Sequence, residues 1–230
     1  MAPRIRNGPS CDNYFGKVFA HLGGALAIAA VSAETSTLGT QLERAVASKL
    51  LGVIISLVIA FILLFIIFQT RPGGPVKYIA FAAFAFWMGQ VLQPLVAKLQ
   101  DKKTLSHILT LTAGVFFGMM AIGFYDKQNV LGFGSYLFAG LAGLIVVQLL
   151  IVAFATPAEK MKALNWIRAI GVALFAAFTA YDVQVLKEGA KGCRVMKNAG
   201  APPDYPRESL GLFLDALNLF SYIGSGSNSS

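Results

Sequence analysis

The sequence predicts an all-α polytopic membrane protein with seven transmembrane helices. Three observations predict this class: 56% of the 230 residues are apolar, only 13% are charged, and the mean hydropathy is +0.66. An average soluble domain is about 45–50% apolar and about 25% charged. A fold of this size has too little interior to hide so much apolar surface from water. The composition therefore excludes a soluble enzyme, a disordered chain and a disulfide-rich secreted module.

Six apolar stretches are each long enough to cross a bilayer, which takes roughly 20 residues of helix. In chain order they cover about residues 15–33, 50–68, 76–95, 105–124, 130–155 and 163–185. A shorter stretch, residues 209–223, makes a seventh span of marginal length. Continuous apolar segments disfavour a β-barrel, whose strands alternate apolar and polar residues. Residues 1–230 are therefore predicted to form one seven-helix membrane domain.

The connections between the spans carry turn chemistry. Short polar loops separate most of the spans: Arg71-Pro72-Gly73-Gly74-Pro75, Asp101-Lys102-Lys103, Asp126-Lys127-Gln128-Asn129 and Thr156-Pro157. Only Lys187–Arg207 is long, and it contains three prolines. We expect consecutive spans to run antiparallel.

Small residues recur four apart on two spans. Gly114 and Gly118 form one pair, and Ala139 and Gly143 form another. Such spacing lets membrane helices pack closely. A glycine-rich membrane protein also contains such pairs without packing on them, and both interpretations stay open.

Lys and Arg in short loops set the orientation of a membrane protein. If the seven spans alternate, more of the 19 Lys and Arg residues fall on the amino-terminal side, which predicts a cytosolic amino terminus. Cys11 and Cys193 fall on that side, where thiols stay reduced, so no disulfide is expected. The net charge of +8 indicates topology and attraction to anionic lipid. It does not indicate nucleic-acid binding, since no basic face with interleaved aromatic residues is present.

Two acidic residues lie inside apolar segments, where a charge is costly and suggests function. Asp182 lies about one helical turn from the cytosolic end of span six. Asp215 lies about two turns into the last segment, so both carboxyls reach similar depths. Arg71 follows span two at the same end of the bundle. These three residues are the candidate site.

Two carboxylates away from water do not both ionise cheaply, so a close pair shares a proton. An arginine nearby favours the charged form and can bind it bidentately. Protonation then decides whether helix ends are held together or pushed apart, which makes a pH-sensitive latch. The alternative is that each aspartate separately caps a helix or bonds to backbone.

These residues also carry a resemblance. Tyr181-Asp182-Val183-Gln184 resembles the tyrosine-aspartate motif of the Bax inhibitor family, also called the transmembrane Bax inhibitor motif or lifeguard family. The ending Asp204–Phe220 resembles that family's final-helix signature, and Phe15–Phe19 resembles its amino-terminal helix. The long connection before the last span and the short uncharged tail depart from the family pattern.

The resemblance implies six helices surrounding a central C-terminal helix, and a pH-sensitive calcium leak that modulates calcium homeostasis and cell death. Asp182 and Asp215 match the di-aspartyl sensor, and Arg71 stands where the latch arginine is expected. Tyr181 and Asn218 belong to the matching motifs, and His21 is a candidate polar contact in the first span. Calcium would be a permeant ion, with no resident cofactor or metal. The implied location is the endoplasmic reticulum or another cell membrane, or a virion inner membrane, because large DNA viruses carry relatives.

Other functions compete with a leak. An intramembrane aspartyl protease also has tyrosine-aspartate on one span and an aspartate on the next. Such proteases carry glycine two residues before the second aspartate, where this chain has Phe213. A rhomboid-type protease at Ser135 would need a later histidine, and both histidines, His21 and His107, come earlier. A non-enzymatic anchoring role would use the termini, Met1–Ser10 and Gly224–Ser230, to contact other membrane or capsid proteins.

Overall fold

A computed structural model describes residues 11–35, 38, 41, 49–99, 101–126, 130–196 and 203–226. Within these residues the structure is all-helical and contains no strand, which confirms the predicted class. Seven α-helices are bounded within the described ranges: α1 (Tyr14–Thr35), α2 (Lys49–Gln69), α3 (Pro75–Lys98), α4 (Lys102–Tyr125), α5 (Gly134–Phe154), α6 (Pro157–Met196) and α7 (Tyr205–Gly226). One turn of 3-10 helix, Val130–Phe133, leads into α5.

Asp101, in one of the connections with turn chemistry, caps the helix that follows it. Asp101 precedes α4, and its carboxylate accepts hydrogen bonds from the Thr104 hydroxyl (2.9 Å) and from the backbone N–H groups of Thr104 (3.2 Å) and Lys103 (3.3 Å). These bonds, the hydroxyl's first, hold the pKa of Asp101 below its ordinary value. A lowered carboxyl pKa stabilises the fold at neutral pH, and this contribution is lost as the pH falls through that pKa.

Helix α6 begins with a reciprocal cap and is much longer than its predicted span. The Thr156 N–H donates to Glu159 Oε2 (2.9 Å), and the Glu159 N–H donates back to Thr156 Oγ1 (3.5 Å). The helix then continues for 40 residues to Met196, whereas the apolar stretch ends near Val185. The polar residues after Val185 therefore end the apolar run without ending the helix.

Six of the helices are long and apolar enough to cross a membrane, namely α1 to α6; among the described helices α7 is not one of them. Their outer surfaces carry large exposed apolar side chains, such as Phe61 on α2 (65% exposed) and Phe154 on α5 (82% exposed). Exposed apolar side chains are costly in water and are expected for helices that face lipid. The protein is a multi-pass integral membrane protein.

Helix α7 has the opposite character, because most of its length is buried against other helices. It packs against α6, α1, α4 and α3. Its buried residues are Tyr205, Pro206, Ser209, Leu210, Leu212, Phe213, Asp215, Ala216, Leu217, Leu219, Phe220 and Gly224. A helix that contacts other helices more than lipid does not need a long uninterrupted run of apolar residues. This explains why the last predicted span is of marginal length.

Two glycines allow helices to approach closely, and neither belongs to the pairs singled out in the sequence. A β-carbon at Gly89 on α3 would overlap the backbone of Ala29 on α1, and one at Gly123 on α4 would overlap the backbone of Ala180 on α6. By contrast, no atom lies within 4 Å of a β-carbon built at Gly114, Gly118 or Gly143. Of the two interpretations left open for the small-residue pairs, these glycines therefore favour the one without close packing within the described chain.

The prediction about the cysteines was wrong. Cys11, just before α1, and Cys193, near the end of α6, form a disulfide with their Cα atoms 5.9 Å apart. The prediction judged the pair by compartment alone and placed the end of span six at Val185. The extra turns of α6 carry Cys193 to the start of α1. Disulfides are rare in the reducing cytosol. The Cys11–Cys193 disulfide therefore does not support a cytosolic amino terminus, which stays a prediction.

The disulfide is directly testable, because these are the two cysteines of the chain. We expect the denatured, unreduced protein to take up no maleimide and the reduced protein to take up two, as measured by intact mass. Cys11→Ser should expose one reactive thiol without reduction. Two maleimides bound without reduction would contradict the pairing.

Candidate functional site: an aspartate pair between α6 and α7

Asp182 and Asp215 lie on consecutive helices that run in opposite directions and pack side by side. Asp182 lies 14 residues before the end of α6 at Met196, and Asp215 lies 10 residues after the start of α7 at Tyr205. At about 1.5 Å per residue these positions are roughly 21 Å and 15 Å from the connected helix ends. The expectation that Asp182 lies one turn from the helix end was wrong, because α6 is longer than predicted.

Gly211 provides the space in which the Asp182 carboxyl contacts α7. A β-carbon at Gly211 would collide with Asp182 Oδ2 and would lie 2.7 Å from Asp182 Cγ. Gly211 precedes Asp215 by four residues, so the two positions share one face of α7. The Asp182 and Asp215 carboxyls therefore lie at the same helix contact and interact electrostatically.

Asp215 is enclosed by protein. Its side chain is buried, with the residue 3% exposed, and its Oδ2 atom has no hydrogen-bond partner among the described residues. The fully buried Thr179, one turn before Asp182, lies beside the Asp215 carboxyl. The Thr179 hydroxyl donates to the Phe175 carbonyl oxygen at 2.8 Å. The site is therefore two carboxyls and one hydroxyl in a place with little water.

Thr179 does not stand out in the sequence, since threonine is common in membrane helices. Its position at i−3 from Asp182 was the available signal, because residues three apart share a helix face. Within the described chain no group of three or more His, Cys, Asp or Glu residues could hold a metal ion. Two carboxyls fall far short of the 6–8 oxygen ligands that calcium takes. The chemistry that this arrangement supports best is proton exchange.

Tyr181 lies on another face of α6 from the aspartate pair. Its hydroxyl oxygen would lie 2.6 Å from a β-carbon at Gly134, so the ring packs over the first residue of α5. Gln184, three residues later, accepts a hydrogen bond from the Val130 N–H at 2.9 Å. These two residues of the motif attach the start of α5 to α6.

Arg71 is exposed, and the salt bridges among the described residues do not include it. Its role as latch counter-ion stays a prediction. The buried cation at this end is Lys77 on α3, which is 1% exposed and forms an ion pair with Asp204 just before α7. Lys77 lies inside the third predicted span, and a charge in that position indicates a buried partner.

His21 and Asn218 make contacts of their own. The His21 ring stacks 6.0 Å from the Tyr205 ring, and its Nδ1 atom lies 2.7 Å from the Lys17 carbonyl oxygen. The Asn218 amide donates to the Leu214 carbonyl oxygen at 2.8 Å. His21 therefore lies at the start of α7, whereas Asn218 is one turn beyond Asp215 and bonds within its own helix.

Residues 1–10 and 227–230, which an anchoring role would use, lie outside the described residues.

Comparisons with known proteins agree with this architecture. The model of a family described as inhibitor of apoptosis-promoting Bax1 matches residues 11–225. The inner membrane protein YbhL of Escherichia coli K12 is 30% identical over 172 residues, which cover 74% of this chain and 70% of YbhL. An uncharacterized protein of Borreliella burgdorferi is 36% identical over 117 residues, 49% of this chain and 47% of that protein.

A mammalian protein is also similar to this chain, at lower sequence identity. Protein lifeguard 4 of Mus musculus is 27% identical over 141 residues, which cover 61% of this chain and 53% of lifeguard 4. The chain thus spans about half the length of some of the relatives it matches. The family match covers nearly all the described helices and both aspartates, and on this evidence the chain belongs to the Bax inhibitor family.

Proposed function

We propose that this protein is a pH-sensitive calcium leak in which Asp182 and Asp215 are the proton sensor. The observation that carries the proposal is that the half-buried Asp182 and the buried Asp215 lie at one contact between α6 and α7, with an Asp215 oxygen that has no hydrogen-bond partner among the described residues. Membership in the Bax inhibitor family supports it, because the resemblance implies a di-aspartyl sensor at these positions. The expected cellular role is control of calcium homeostasis and cell death.

The latch would act through the contact between α6 and α7. When the pair holds one proton, a hydrogen bond between the carboxyls can bind the two helices together. When both carboxyls are ionised, two like charges in a low-dielectric site repel each other. In this proposal α7 is the central helix, and its movement against α6 opens or closes the path for calcium.

Calcium flux into proteoliposomes across pH 6–8 tests the proposal. The wild-type leak should change across this range, whereas Asp182→Asn and Asp215→Asn should give a flux that does not vary with pH, because the amide does not titrate. Glu188→Gln is the matched control, since Glu188 is an exposed acid on the same helix and its partner Lys191 is also exposed. It should keep the wild-type profile. The latch would be refuted if the wild-type flux did not vary with pH. It would also be refuted if both asparagine variants kept the pH profile of the wild-type flux.

Arg71 is tested separately from the aspartates. If it is the latch counter-ion, Arg71→Gln should shift the pH profile of the flux without abolishing the pH dependence. An unchanged profile in Arg71→Gln, together with flat profiles in the asparagine variants, would leave the aspartate pair as the sensor and remove Arg71 from the mechanism.

A protease is the second candidate, because two aspartates on adjacent membrane helices are also what an intramembrane aspartyl protease needs. Phe213 stands where such proteases carry glycine. Incubation of the reconstituted protein with transmembrane peptide substrates distinguishes the two functions. Cleavage that Asp182→Asn and Asp215→Asn both abolish would favour the protease, and the absence of cleavage with a pH-dependent flux would favour the leak.

A further inference from the structure

A cavity of about 550 Å³ is lined by α1, α3 and α4, with α7 as its inner wall. Helices α1 and α4 each pack against α7, and among the described residues they contact each other where the Phe15 and Phe124 rings lie 5.7 Å apart. The cavity is the gap that these helices leave open away from that contact. Its volume lies within the range of about 300–1,000 Å³ that is usual for sites of small ligands.

The wall of this cavity is almost entirely apolar. Leu26 on α1, Phe116 on α4 and Leu217 on α7 are typical of it. Two polar residues line it: Glu34, which is exposed at the end of α1, and Thr112, which is 7% exposed. The Thr112 hydroxyl oxygen is buried without a hydrogen-bond partner in the described part of the chain. Water needs two to four polar partners and would find few here, so the cavity suits an apolar occupant.

The cavity opens sideways, toward the surface that faces lipid. Phe19 on α1, and Leu109 and Phe117 on α4, line the cavity and are nevertheless 36%, 51% and 64% exposed. They form an apolar rim that continues into the outer surface of two membrane-spanning helices. The rim is therefore in contact with hydrocarbon when the protein is in a bilayer. An empty cavity at that depth would lose the dispersion contacts that an acyl chain can supply.

We propose that an acyl chain of a bilayer phospholipid enters between α1 and α4 and rests against α7. The chain would contact Ala216, Leu217 and Phe220, which are the residues of α7 that line the cavity. Because Ala216 directly follows Asp215, the acyl chain would support the helix that carries the buried aspartate of the pair. The site is distinct from the aspartate pair, and it stands whether or not the protein is a calcium leak.

Photolabelling from a lipid tail tests this assignment. The full chain is reconstituted in phosphatidylethanolamine–phosphatidylglycerol vesicles doped with a phosphatidylcholine that carries a diazirine in one acyl tail, irradiated, and mapped by peptide mass spectrometry. Outer residues such as Phe61 should be labelled in any case. Leu217 and Phe220 line the cavity and are each only 7% exposed, so we expect adducts on them as well if an acyl tail occupies it. Adducts confined to outer surfaces would overturn the proposal.

Two adjacent glycines of α1 provide a matched pair of variants. No atom lies within 4 Å of a β-carbon built at Gly23 or at Gly24, but only Gly23 lines the cavity. Gly23→Phe should narrow the cavity and reduce the adducts on Leu217 and Phe220 while leaving the adduct on Phe61. Gly24→Phe should keep all of them. Undiminished labelling of α7 in Gly23→Phe, with Phe61 still labelled, would show that the tail does not enter by this route.

Thr112 distinguishes an acyl chain from a more polar ligand. Thr112→Val keeps the shape of the side chain and removes the hydroxyl. If the occupant is an apolar chain, labelling of Leu217 and Phe220 should be unchanged. Loss of that labelling would indicate that the site selects a group that bonds to the hydroxyl, and would overturn the assignment to an acyl chain.

Discussion

Replacing Lys77 by methionine is expected to destabilise the protein by about 3–5 kcal/mol, because it removes one partner of a buried ion pair and leaves the other charged. The Lys77 ammonium is the cation that faces Asp204, and its side chain is 2% exposed while that of Asp204 is 12% exposed. Methionine has nearly the same length as the apolar part of lysine, so packing is little changed. The measured effect should therefore report the loss of the charge.

Asp204 has a second role that explains why this pair is sensitive. Its Oδ1 atom accepts a hydrogen bond from the Arg207 N–H (3.3 Å), and its carbonyl oxygen accepts one from the Glu208 N–H (2.9 Å). Asp204 thus caps α7 while it binds Lys77 on α3. An uncompensated carboxylate at this position would disturb the start of the most buried helix. We expect the loss in Lys77→Met to appear as fraying of α7 as well as a lower unfolding free energy.

The measurement is chemical unfolding in detergent micelles, followed by circular dichroism. Lys191→Met is the control, because the Lys191–Glu188 pair is on the surface, with side chains 70% and 53% exposed, and such pairs contribute about 0–1 kcal/mol. The double variant Lys77→Met with Asp204→Asn should recover much of the loss, since asparagine keeps the cap and removes the orphaned charge. Lys77→Met as stable as Lys191→Met would mean that the pair does not hold α3 to α7.

The sequence was informative where one physical constraint decided the structure. Bilayer thickness sets the length of an apolar helix, and α1 to α5 lie within a few residues of their predicted spans. Rise per residue also placed the two aspartates toward the same end of the bundle, although the length of α6 puts Asp182 about 21 Å, and not one turn, from its helix end. Their contact at Gly211 depends on how α6 and α7 pack, which height alone does not specify.

The sequence was uninformative where the outcome depended on which helices are neighbours. The polar run that begins at Lys187 ends the apolar stretch, yet lysine, glutamate and alanine are good helix formers, so α6 continues. That continuation determines the Cys11–Cys193 pairing. The partner of Lys77 likewise depends on α3 lying beside α7, which no local pattern specifies. Arg71 was selected because it lies at the same end of the bundle as the aspartates. Its side chain is exposed, so a shared position along the bundle does not determine which way a side chain points.

Replacing Gly89 by leucine is the other change with a large expected effect, and it acts on the contact between α1 and α3. A β-carbon at Gly89 would overlap the Ala29 carbonyl oxygen and would lie 2.9 Å from Ala29 Cα. The atoms that the β-carbon would meet belong to the Ala29 backbone, and backbone atoms cannot rotate away as a side chain can. Overpacking usually costs about 1–3 kcal/mol, and more when the surroundings cannot relax.

Hydrogen bonds beside Gly89 increase the cost. The buried Ser32 hydroxyl donates to the Phe86 carbonyl oxygen (2.7 Å), and the Gln90 amide donates to the Ser32 carbonyl oxygen (2.8 Å). If α3 moves away from α1 to accommodate leucine, these buried groups lose their partners, at about 1–3 kcal/mol for each group left unsatisfied. We therefore expect Gly89→Leu to lower the unfolding free energy by about 3 kcal/mol or more.

Gly114→Leu separates close helix packing from a general effect of removing glycine. Gly114 lies on a membrane-spanning helix, is exposed, and has no atom within 4 Å of a built β-carbon. Leucine at this position should leave the unfolding free energy unchanged or slightly higher, because glycine is the poorer helix former. Equal losses in the two variants would mean that glycine matters here for something other than the approach of α3 to α1. A loss confined to Gly89→Leu would show that an isolated glycine facing a neighbouring backbone, and not a repeated small-residue spacing, determines how these helices pack.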